Sequence, residues 1–539
     1  MSIAAFSPFL LNVAGGRRLT DKVAAVFYLS VVAFLPILTS PIIQDQYTAI
    51  KWQLIYGAAI FSIGYFIVSQ VLQVPRFSRV TQIALIMFVS AVAISMLYHD
   101  VPIVSKPVID RVSFVILALA FCHIFSSGIL SLSSFILPAA ISLAIFLSIM
   151  IYEFFLTNQY AGVVTIFTAY GLYNFWSKLP ARVVFLALLS CGLFYISLTG
   201  CRSVYLGLLL GAIYLFSTFK AKWFNKTSIA IVCFAVGVGA LLKVYLPAES
   251  GGSAPVSAFS ETKHESANHR IHIWSRTINM INDNPLGVGQ GQFEFSFIPY
   301  KKGDKDYPPN EQLLERTPHS EVLRYMVEDG LIVFILGFCF IALMVTQNQN
   351  SLVAYLLNKE NAFIVMLLIM LGVQFLIQFP LFTPYTFFII AILAGYLLSL
   401  VKEDIIVKPH RAFLAIGLCG YLAIFSSLLY AEYVDANHPF DLSKTSLSCN
   451  ISPGNWRVCF QKVAQELDEG NLEMALASTE KELKKNPDNF LAKMYRGYAL
   501  MDMNRQVEAC RVFREYNELF GSKSSLKYME RVCKAYQAS

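Results

Sequence analysis

Long apolar stretches recur from residue 23 to residue 431, and each could cross a lipid bilayer as a helix. A hydrocarbon layer ~30 Å thick takes ~20 residues at the helical rise. The stretches lie near 23–40, 52–72, 80–98, 108–125, 134–152, 160–176, 182–199, 203–219, 228–246, 330–346, 361–378, 384–401 and 412–431. Only 14% of the residues are charged, against about a quarter in soluble proteins. The sequence therefore predicts an all-α polytopic membrane protein with about 12–13 transmembrane helices.

Positive charges predict the orientation of these spans. Loops rich in Lys and Arg are retained on the cytoplasmic side, and such loops alternate along the chain, at 17–22, 76–79, 178–182, 220–226 and 402–411. This places the N-terminus in the cytoplasm. A transmembrane domain, 1–431, then carries a large loop, 247–325, on the outer face, and it is followed by a tail, 432–539, on the same face.

The net charge of +7 follows mostly from these cytoplasmic loops. No clustered basic surface with interleaved aromatic residues indicates binding to nucleic acid. The chain is therefore predicted to cross its membrane many times.

Four of the ten cysteines lie in the tail: Cys449, Cys459, Cys510 and Cys533. An even set in a short exported segment predicts two disulfides. The sequence does not fix their connectivity, and we take Cys449–Cys459 with Cys510–Cys533 as the pairing to test. Four buried free thiols are the alternative, and no CxxC spacing indicates a zinc site.

The tail also repeats. The segments Gly470–Ala475 and Asn504–Ala509 start 34 residues apart, and each opens an amphipathic stretch. This period is typical of tetratricopeptide helical hairpins, so we predict a TPR-like helical domain. Two copies leave open a small helical domain tied by disulfides. Either form favours docking or presentation of an acceptor over catalysis.

The loop 247–325 contains a predicted amphipathic helix and a run of glycines. The helix runs through Ile281 and is stopped by Asn284-Pro285. The run that contains Gly289 and Gly291 is not a dinucleotide fingerprint, because no strand precedes it and no βαβ unit surrounds it. It predicts a tight turn packed against the membrane surface. Alternatively, its backbone N–H groups approach a phosphate.

Short motifs follow one another here in a characteristic order: Thr199-Gly200-Cys201-Arg202-Ser203, Arg270-x-x-x-Trp274, Asn284 to Phe293, and Pro318-His319-Ser320-Glu321-x-Leu323 with Glu328-x-Gly330. Together they resemble the O-antigen ligase and polymerase superfamily, over roughly 180–350. That superfamily includes lipopolysaccharide O-antigen ligases, repeat-unit polymerases and bacterial protein O-oligosaccharyltransferases. The chain departs at Cys201, where many members have Ser, and at Ser320, where many have Asn.

The resemblance implies glycan transfer from a polyprenyl pyrophosphate to an acceptor hydroxyl on the periplasmic face of a bacterial inner membrane. The loop 247–325 and the tail 432–539, predicted on the outer face, are then periplasmic. His319 is the candidate catalytic base, because imidazole titrates near pH ~6.5 and can take the hydroxyl proton. Arg202 and Arg270 are candidates to hold the pyrophosphate, because guanidinium is planar, multidentate and always charged. Four further residues are candidates to support the site: Glu321, Arg324, Gly289 and Gly291.

Each role has a simpler alternative. His319 could cap the helix that leads into the next span. Arg202 could snorkel from a helix end. Arg270 could pair with a nearby carboxylate, from Glu261, Glu265 or Glu294.

Two patterns resemble metal sites. His264, His269 and His272 are not all on one helical face and lack a carboxylate at ligand spacing, which favours a surface cluster. The run Asp304-Lys305-Asp306 is the Asp-x-Asp by which many glycosyltransferases hold a divalent cation, but a Lys- and Pro-rich surrounding is typical of a solvated turn. We predict no metal and no cofactor.

The favoured function is en bloc transfer of a lipid-linked glycan to lipid A core or to Ser/Thr of an exported protein. The predicted partners are that donor, that acceptor and membrane lipids. A repeat-unit polymerase is the alternative enzyme. A polysaccharide exporter or flippase is the alternative of another class, and it would carry charged residues inside its spans. Here Glu153, Lys243 and Asp110-Arg111 lie near span ends.

Overall fold

A computed structural model describes most of the chain. The described residues are 18–35, 49–99, 105–135, 193, 202–219, 261–301, 317–347, 354, 358, 361–378, 380–401, 404–438, 441–451, 456–485, 489–520, 530 and 533. The predicted spans near 160–176 and 228–246 lie outside these residues, as do 134–152 apart from Ser134 and Phe135 and 182–199 apart from Leu193.

Helices dominate the described part of the transmembrane domain. They are α1 (Leu19–Phe34), α2 (Ala49–Ser69), α3 (Arg79–Tyr98), α4 (Lys106–Ser126), α5 (Arg202–Phe219), α6 (Glu261–Asp283), α7 (Phe293–Ser296), α8 (Ile298–Lys301), α9 (Glu321–Glu328), α10 (Leu331–Gln347), α11 (Ala362–Ile377), α12 (Pro384–Ser399) and α13 (Arg411–Asn437). Two short 3-10 turns, Leu132–Phe135 and Pro380–Phe382, interrupt the loops.

Among the described residues, four helices are long and apolar enough to cross a membrane: α2, α3, α4 and α13. Three shorter helices, α10, α11 and α12, are also apolar. The predicted fold class, an all-α polytopic membrane protein, is confirmed.

The long helices differ in what surrounds them. Of the most apolar window in α2 and α4, 61% and 56% is buried, against 11% in α3 and in α13. Because the exposed side chains of α3 and α13 include many large apolar ones, such as Ile86 and Ile416, these faces are suited to lipid rather than water. Helices α2 and α4 therefore form the centre and α3 and α13 the periphery.

Small residues let the central helices approach closely. A Cβ at Gly395 of α12 would lie 2.5 Å from Phe121 Cβ and 2.6 Å from Ala118 O of α4. Likewise, Gly207 of α5 lies against Met370 of α11, where a Cβ would come within 3.3 Å of a backbone atom. Glycine at such crossings is a common device in membranes, where apolar side chains gain nothing by leaving lipid.

One end of the bundle carries a two-stranded antiparallel sheet that the sequence did not predict. Strands β1 (Leu72–Pro75) and β2 (Asp404–Val407) pair with Leu72 opposite Val407. Gln347, at the end of α10, joins this end by accepting the Ser78 N–H at 2.9 Å. Two of the loops that positive charge assigned to one side, 76–79 and 402–411, therefore lie at the same end of the molecule.

Five described helices build the tail: α14 (Leu442–Ile451), α15 (Trp456–Asp468), α16 (Leu472–Lys485), α17 (Phe490–Asp502) and α18 (Gln506–Phe520). Helix α17 begins 34 residues after α15, at Phe490 and Trp456, and α18 begins 34 residues after α16, at Gln506 and Leu472. Gly470 and Asn504 are both left-handed, with φ of 76° and 58°, at the same point of each hairpin. The predicted period is thus present in the helices, and the tetratricopeptide assignment itself stays a prediction.

Disulfides join the four tail cysteines in two pairs. Cys449 and Cys459 link α14 to α15, with Cα atoms 4.9 Å apart. Cys510 of α18 is linked to Cys533, with Cα atoms 5.3 Å apart. This is the pairing that was put forward for testing.

Candidate active site

His319 stands at the junction between the loop and α9, in a left-handed backbone conformation with φ of 51°. Such a φ is unfavourable for a residue with a Cβ and is typical of functional sites. The capping role considered for His319 belongs to Ser320, whose Oγ accepts the Leu323 N–H at 3.3 Å. Asn caps helices as well as Ser does, which accounts for the Ser320 departure from the family pattern.

Helix α6 brings Arg270 to the same junction. Trp274, one turn after Arg270, donates its indole N–H to the carbonyl of Pro318 at 2.9 Å. Arg270 Nη1 donates to the carbonyl of Ile377 at 3.4 Å. The next carbonyl, that of Gln378, accepts the Glu321 N–H at 3.0 Å. Arg270 and Trp274, one helical turn apart, therefore tie α6 to two segments at this junction: Pro318, next to His319, and Ile377 at the end of α11.

Glu321 and Arg324 brace this junction from below. Glu321 is fully buried, and its Oε1 accepts the Leu381 N–H at 3.0 Å. Its Oε2 lies 3.5 Å from Arg324 Nη1, and Arg324 Nε lies 3.3 Å from Glu328 Oε2. These contacts hold α9 against Gln378 and Leu381, and the supporting role of Glu321 and Arg324 stays a prediction.

Burial sets the protonation behaviour of these groups. It raises the pKa of Glu321 above its ordinary value, although Arg324 and the Leu381 N–H oppose the shift. Burial works against the charge on Arg324, but Glu328 and Glu321 outweigh it and raise its pKa. Burial likewise raises the pKa of Tyr325 to about 12. Arg324 thus keeps its positive charge among these carboxyl groups.

The glycine run forms the tight turn that its sequence predicted. Gly287, Gly289 and Gly291 all have positive φ, at 94°, 95° and 73°. The N–H of Val288 donates to Val327 O at 2.9 Å and that of Gly289 to Glu328 O at 3.0 Å. Because the Gly289 N–H is already used within the chain, its geometry favours packing against α9 over contact with a phosphate.

An ion pair between the buried carboxylate of Asp329 and the half-buried guanidinium of Arg111 holds the break between α9 and α10. Arg111 donates from Nη1 and Nη2 to the two carboxylate oxygens of Asp329 at 2.7 and 2.8 Å. Gln290 Nε2 also donates to Asp329 Oδ1 at 2.9 Å. Sequence reasoning missed this set, although Arg111 at the edge of an apolar stretch was a usable signal, since charges in such positions are costly unless paired.

Arg202 is the first residue of α5, and only its backbone is described. Contacts of Gly207 with Met370 and of Gly211 with Met366 show that α5 and α11 run antiparallel. The start of α5 therefore lies at the end of α11 that carries Ile377, the residue contacted by Arg270. The three predicted reaction residues thus come from one end of the bundle.

The positions considered for a metal lie on α6 or outside the described residues. Asp304 and Asp306 lie outside the described residues, as does the side chain of His264. His269 and His272 lie on α6, and the described part of the chain holds no group of three or more His, Cys, Asp or Glu placed to hold a metal.

This geometry suits transfer chemistry at a polar junction beside apolar helices. An imidazole at the junction can accept a proton from a hydroxyl, and a guanidinium can stabilise a leaving phosphate. The buried carboxyl groups Glu321, Glu328 and Asp329 are engaged with arginines or backbone N–H groups.

Comparison with known proteins agrees with the motif order. A family model described as O-antigen ligase matches residues 187–339, a range that contains Arg202, Arg270 and His319. No curated protein matches the chain. The resemblance first noted from short motifs is therefore confirmed by an independent comparison. Residues 187–339 of this membrane protein are thus similar to the O-antigen ligase family.

Proposed function

We propose that the chain transfers a glycan en bloc from a polyprenyl pyrophosphate to an acceptor hydroxyl, on the periplasmic face of a bacterial inner membrane. The observation that carries the proposal is the convergence of Arg270 and His319 on the junction where Pro318–Glu321 meets Ile377 and Gln378. A base and a phosphate-binding cation at one place are what this reaction needs.

In this mechanism His319 takes the proton of the acceptor hydroxyl as its oxygen attacks the anomeric carbon. The bond from that carbon to the pyrophosphate oxygen breaks, and the polyprenyl pyrophosphate leaves with the electron pair. Arg270, with Arg202, stabilises the negative charge that develops on the leaving group. Neither step requires a metal.

The acceptor is lipid A core or Ser/Thr of an exported protein. The exported tail favours a macromolecular acceptor, since helical repeat-like domains offer broad docking surfaces. Parallel assays with delipidated core oligosaccharide, an exported protein and a second lipid-linked glycan distinguish these acceptors from the repeat-unit polymerase.

The test of the mechanism is transfer from purified polyprenyl-linked glycan in detergent. His319→Ala should lower the rate by roughly 10²–10⁴-fold, the range for loss of a positioned base. Its matched control is His272→Ala on α6, which should stay near the wild-type rate. Full activity of His319→Ala would refute the proposed base.

Arginine geometry is tested in the same assay. Arg270→Lys should impair donor use, because a point charge does not replace a planar fork. Arg276→Lys, on the same helix, is the matched control. Asp304→Ala with Asp306→Ala should be silent, and EDTA should not inhibit. Inhibition by EDTA that magnesium or manganese reverses would move the chemistry to the Asp-x-Asp turn.

The proposed orientation has its own test. Reporter fusions after residues 300 and 500 should report the periplasm, and a fusion near Lys222 the cytoplasm, because positive loops are retained inside. A cytoplasmic signal after residue 500 would contradict both the orientation and an oxidising environment for the tail.

A further inference from the structure

The short segment formed by α7 and α8, Phe293–Lys301, has two apolar faces. On the first, Phe293 and Phe297 are buried with their rings stacked at 4.9 Å between centroids. They pack with Ile273 and Met280 of α6 and with Val327 of α9. This face therefore belongs to the core directly beneath the candidate active site.

The second face of the segment contacts the tail. Phe295 and Ile298 form a separate buried cluster with Phe490 of α17 and Tyr516 of α18. These four side chains are each at most 7% exposed. The Phe295 and Phe490 rings lie 6.3 Å apart between centroids. The tail thus packs its own apolar side chains against the loop.

The two faces connect the tail with both candidate reaction residues through packed side chains. Ile273 precedes Trp274, which donates to the carbonyl next to His319. Arg270 lies one turn earlier on the same helix. Val327 lies on α9, which begins two residues after His319. A displacement of Phe293–Lys301 would therefore move the supports of both residues.

We propose that Phe490 and Tyr516 are positioning residues of the active site. They hold the outer face of Phe293–Lys301, so that its inner face keeps α6 and α9 in the arrangement that transfer needs. The tail then acts on the reaction itself, whichever acceptor is used. This inference rests on the proposed function for its kinetic part and on packing alone for its structural part.

A tail that only recruits an acceptor predicts a different outcome. In that case loss of the contact would raise the KM for a macromolecular acceptor and leave kcat unchanged. A positioning role predicts a lower kcat, because reacting groups that move by about an ångström lose up to ~100-fold in rate. The two roles are therefore separable by kinetics.

The structural test uses full-length protein in detergent and does not depend on activity. Phe490→Ala should speed amide exchange across Phe293–Lys301 by about tenfold or more, because local opening becomes easier when apolar contacts are lost. Phe490→Leu should restore most of the protection. Met474→Ala, at a side chain of α16 that is 56% exposed, is the control and should change nothing in the loop.

A variant in the loop distinguishes loss of the contact from unfolding of the tail. Ile298→Ala removes the same contact without altering any tail residue, and it should speed exchange at Phe490–Met494. Two results would overturn the proposal even if the chain transfers glycan. One is unchanged amide exchange in Phe293–Lys301 for Phe490→Ala, and the other is unchanged exchange at Phe490–Met494 for Ile298→Ala.

The kinetic test measures kcat and KM for the lipid-linked donor and the acceptor. Phe490→Ala and Tyr516→Ala should lower kcat between about 10- and 100-fold with every acceptor that the wild type uses. A rise in acceptor KM at constant kcat would refute positioning. If the wild type transfers no glycan, the proposed function fails, whereas the exchange result still decides the structural part.

Discussion

Asp329→Asn tests how strongly the break between α9 and α10 is held. Asp329 is 4% exposed and Arg111 26% exposed at the side chain, and two short charge-assisted hydrogen bonds join them. Asn keeps one acceptor oxygen but turns its amide N–H groups towards the second guanidinium nitrogen. Loss of one charge-assisted bond, with a donor left facing a donor, costs about 2–4 kcal/mol. The value stays below that of a wholly buried pair because Arg111 retains some contact with solvent.

The measurement is a double-mutant cycle with Arg111→Met, read by reversible denaturation in mixed micelles. Because the lost stability comes from the contact between Arg111 and Asp329, the coupling energy between the two sites should reach about 2 kcal/mol. The exposed pair Arg505–Glu508 has similar distances, 2.8 and 2.7 Å, and should couple far less because water and salt screen it. Equal coupling in the two pairs would refute the view that burial gives the Arg111–Asp329 contact its strength.

Gly330→Ala should destabilise the protein by at least ~1–2 kcal/mol, because φ is +95° and a Cβ would lie 2.4 Å from the Leu286 carbonyl carbon. Gly372→Ala on α11, with nothing within 4 Å, is the control, and equal denaturation midpoints for the two variants would contradict the prediction. As pH rises, the free energy of unfolding of Glu321→Gln should increase relative to that of the wild type. Burial raises the folded-state pKa of Glu321 above the unfolded value of ~4.3. The wild type therefore loses stability as pH rises from the unfolded pKa through the folded one. Denaturation of both proteins between pH 4 and 8 measures this, and a difference that is constant or moves the other way would contradict it.

The apolar stretches and the glycine run were predictable because each has a local cause. A transmembrane span needs only a run of consecutive apolar residues. The positive φ of Gly287 and Gly289 is a local backbone requirement that glycine meets. The period of the tail hairpins was equally local.

Long-range partners were not predictable in the same way. Nothing near Arg111 in the sequence indicates that Asp329 will meet it, and β1 finds β2 only through the arrangement of the helices between them. The Phe295–Phe490 contact joins two segments that sequence patterns had treated as separate domains. His319 and Arg270 were identified from family motifs, whereas the hydrogen bonds of Trp274 and Gln378 that bring them to one junction required the fold.

The pairing of Leu72–Pro75 with Asp404–Val407 also constrains how the protein is made. At ~5–20 residues per second, β1 leaves the ribosome tens of seconds before β2 exists. During that interval its backbone hydrogen-bonding groups have water as partners, and α4 lacks α12, the neighbour that Gly395 admits. Assembly of the transmembrane domain is therefore completed by its last spans. A chain that is interrupted before residue 404 stays in the membrane as an incomplete bundle in which β1 has no partner strand.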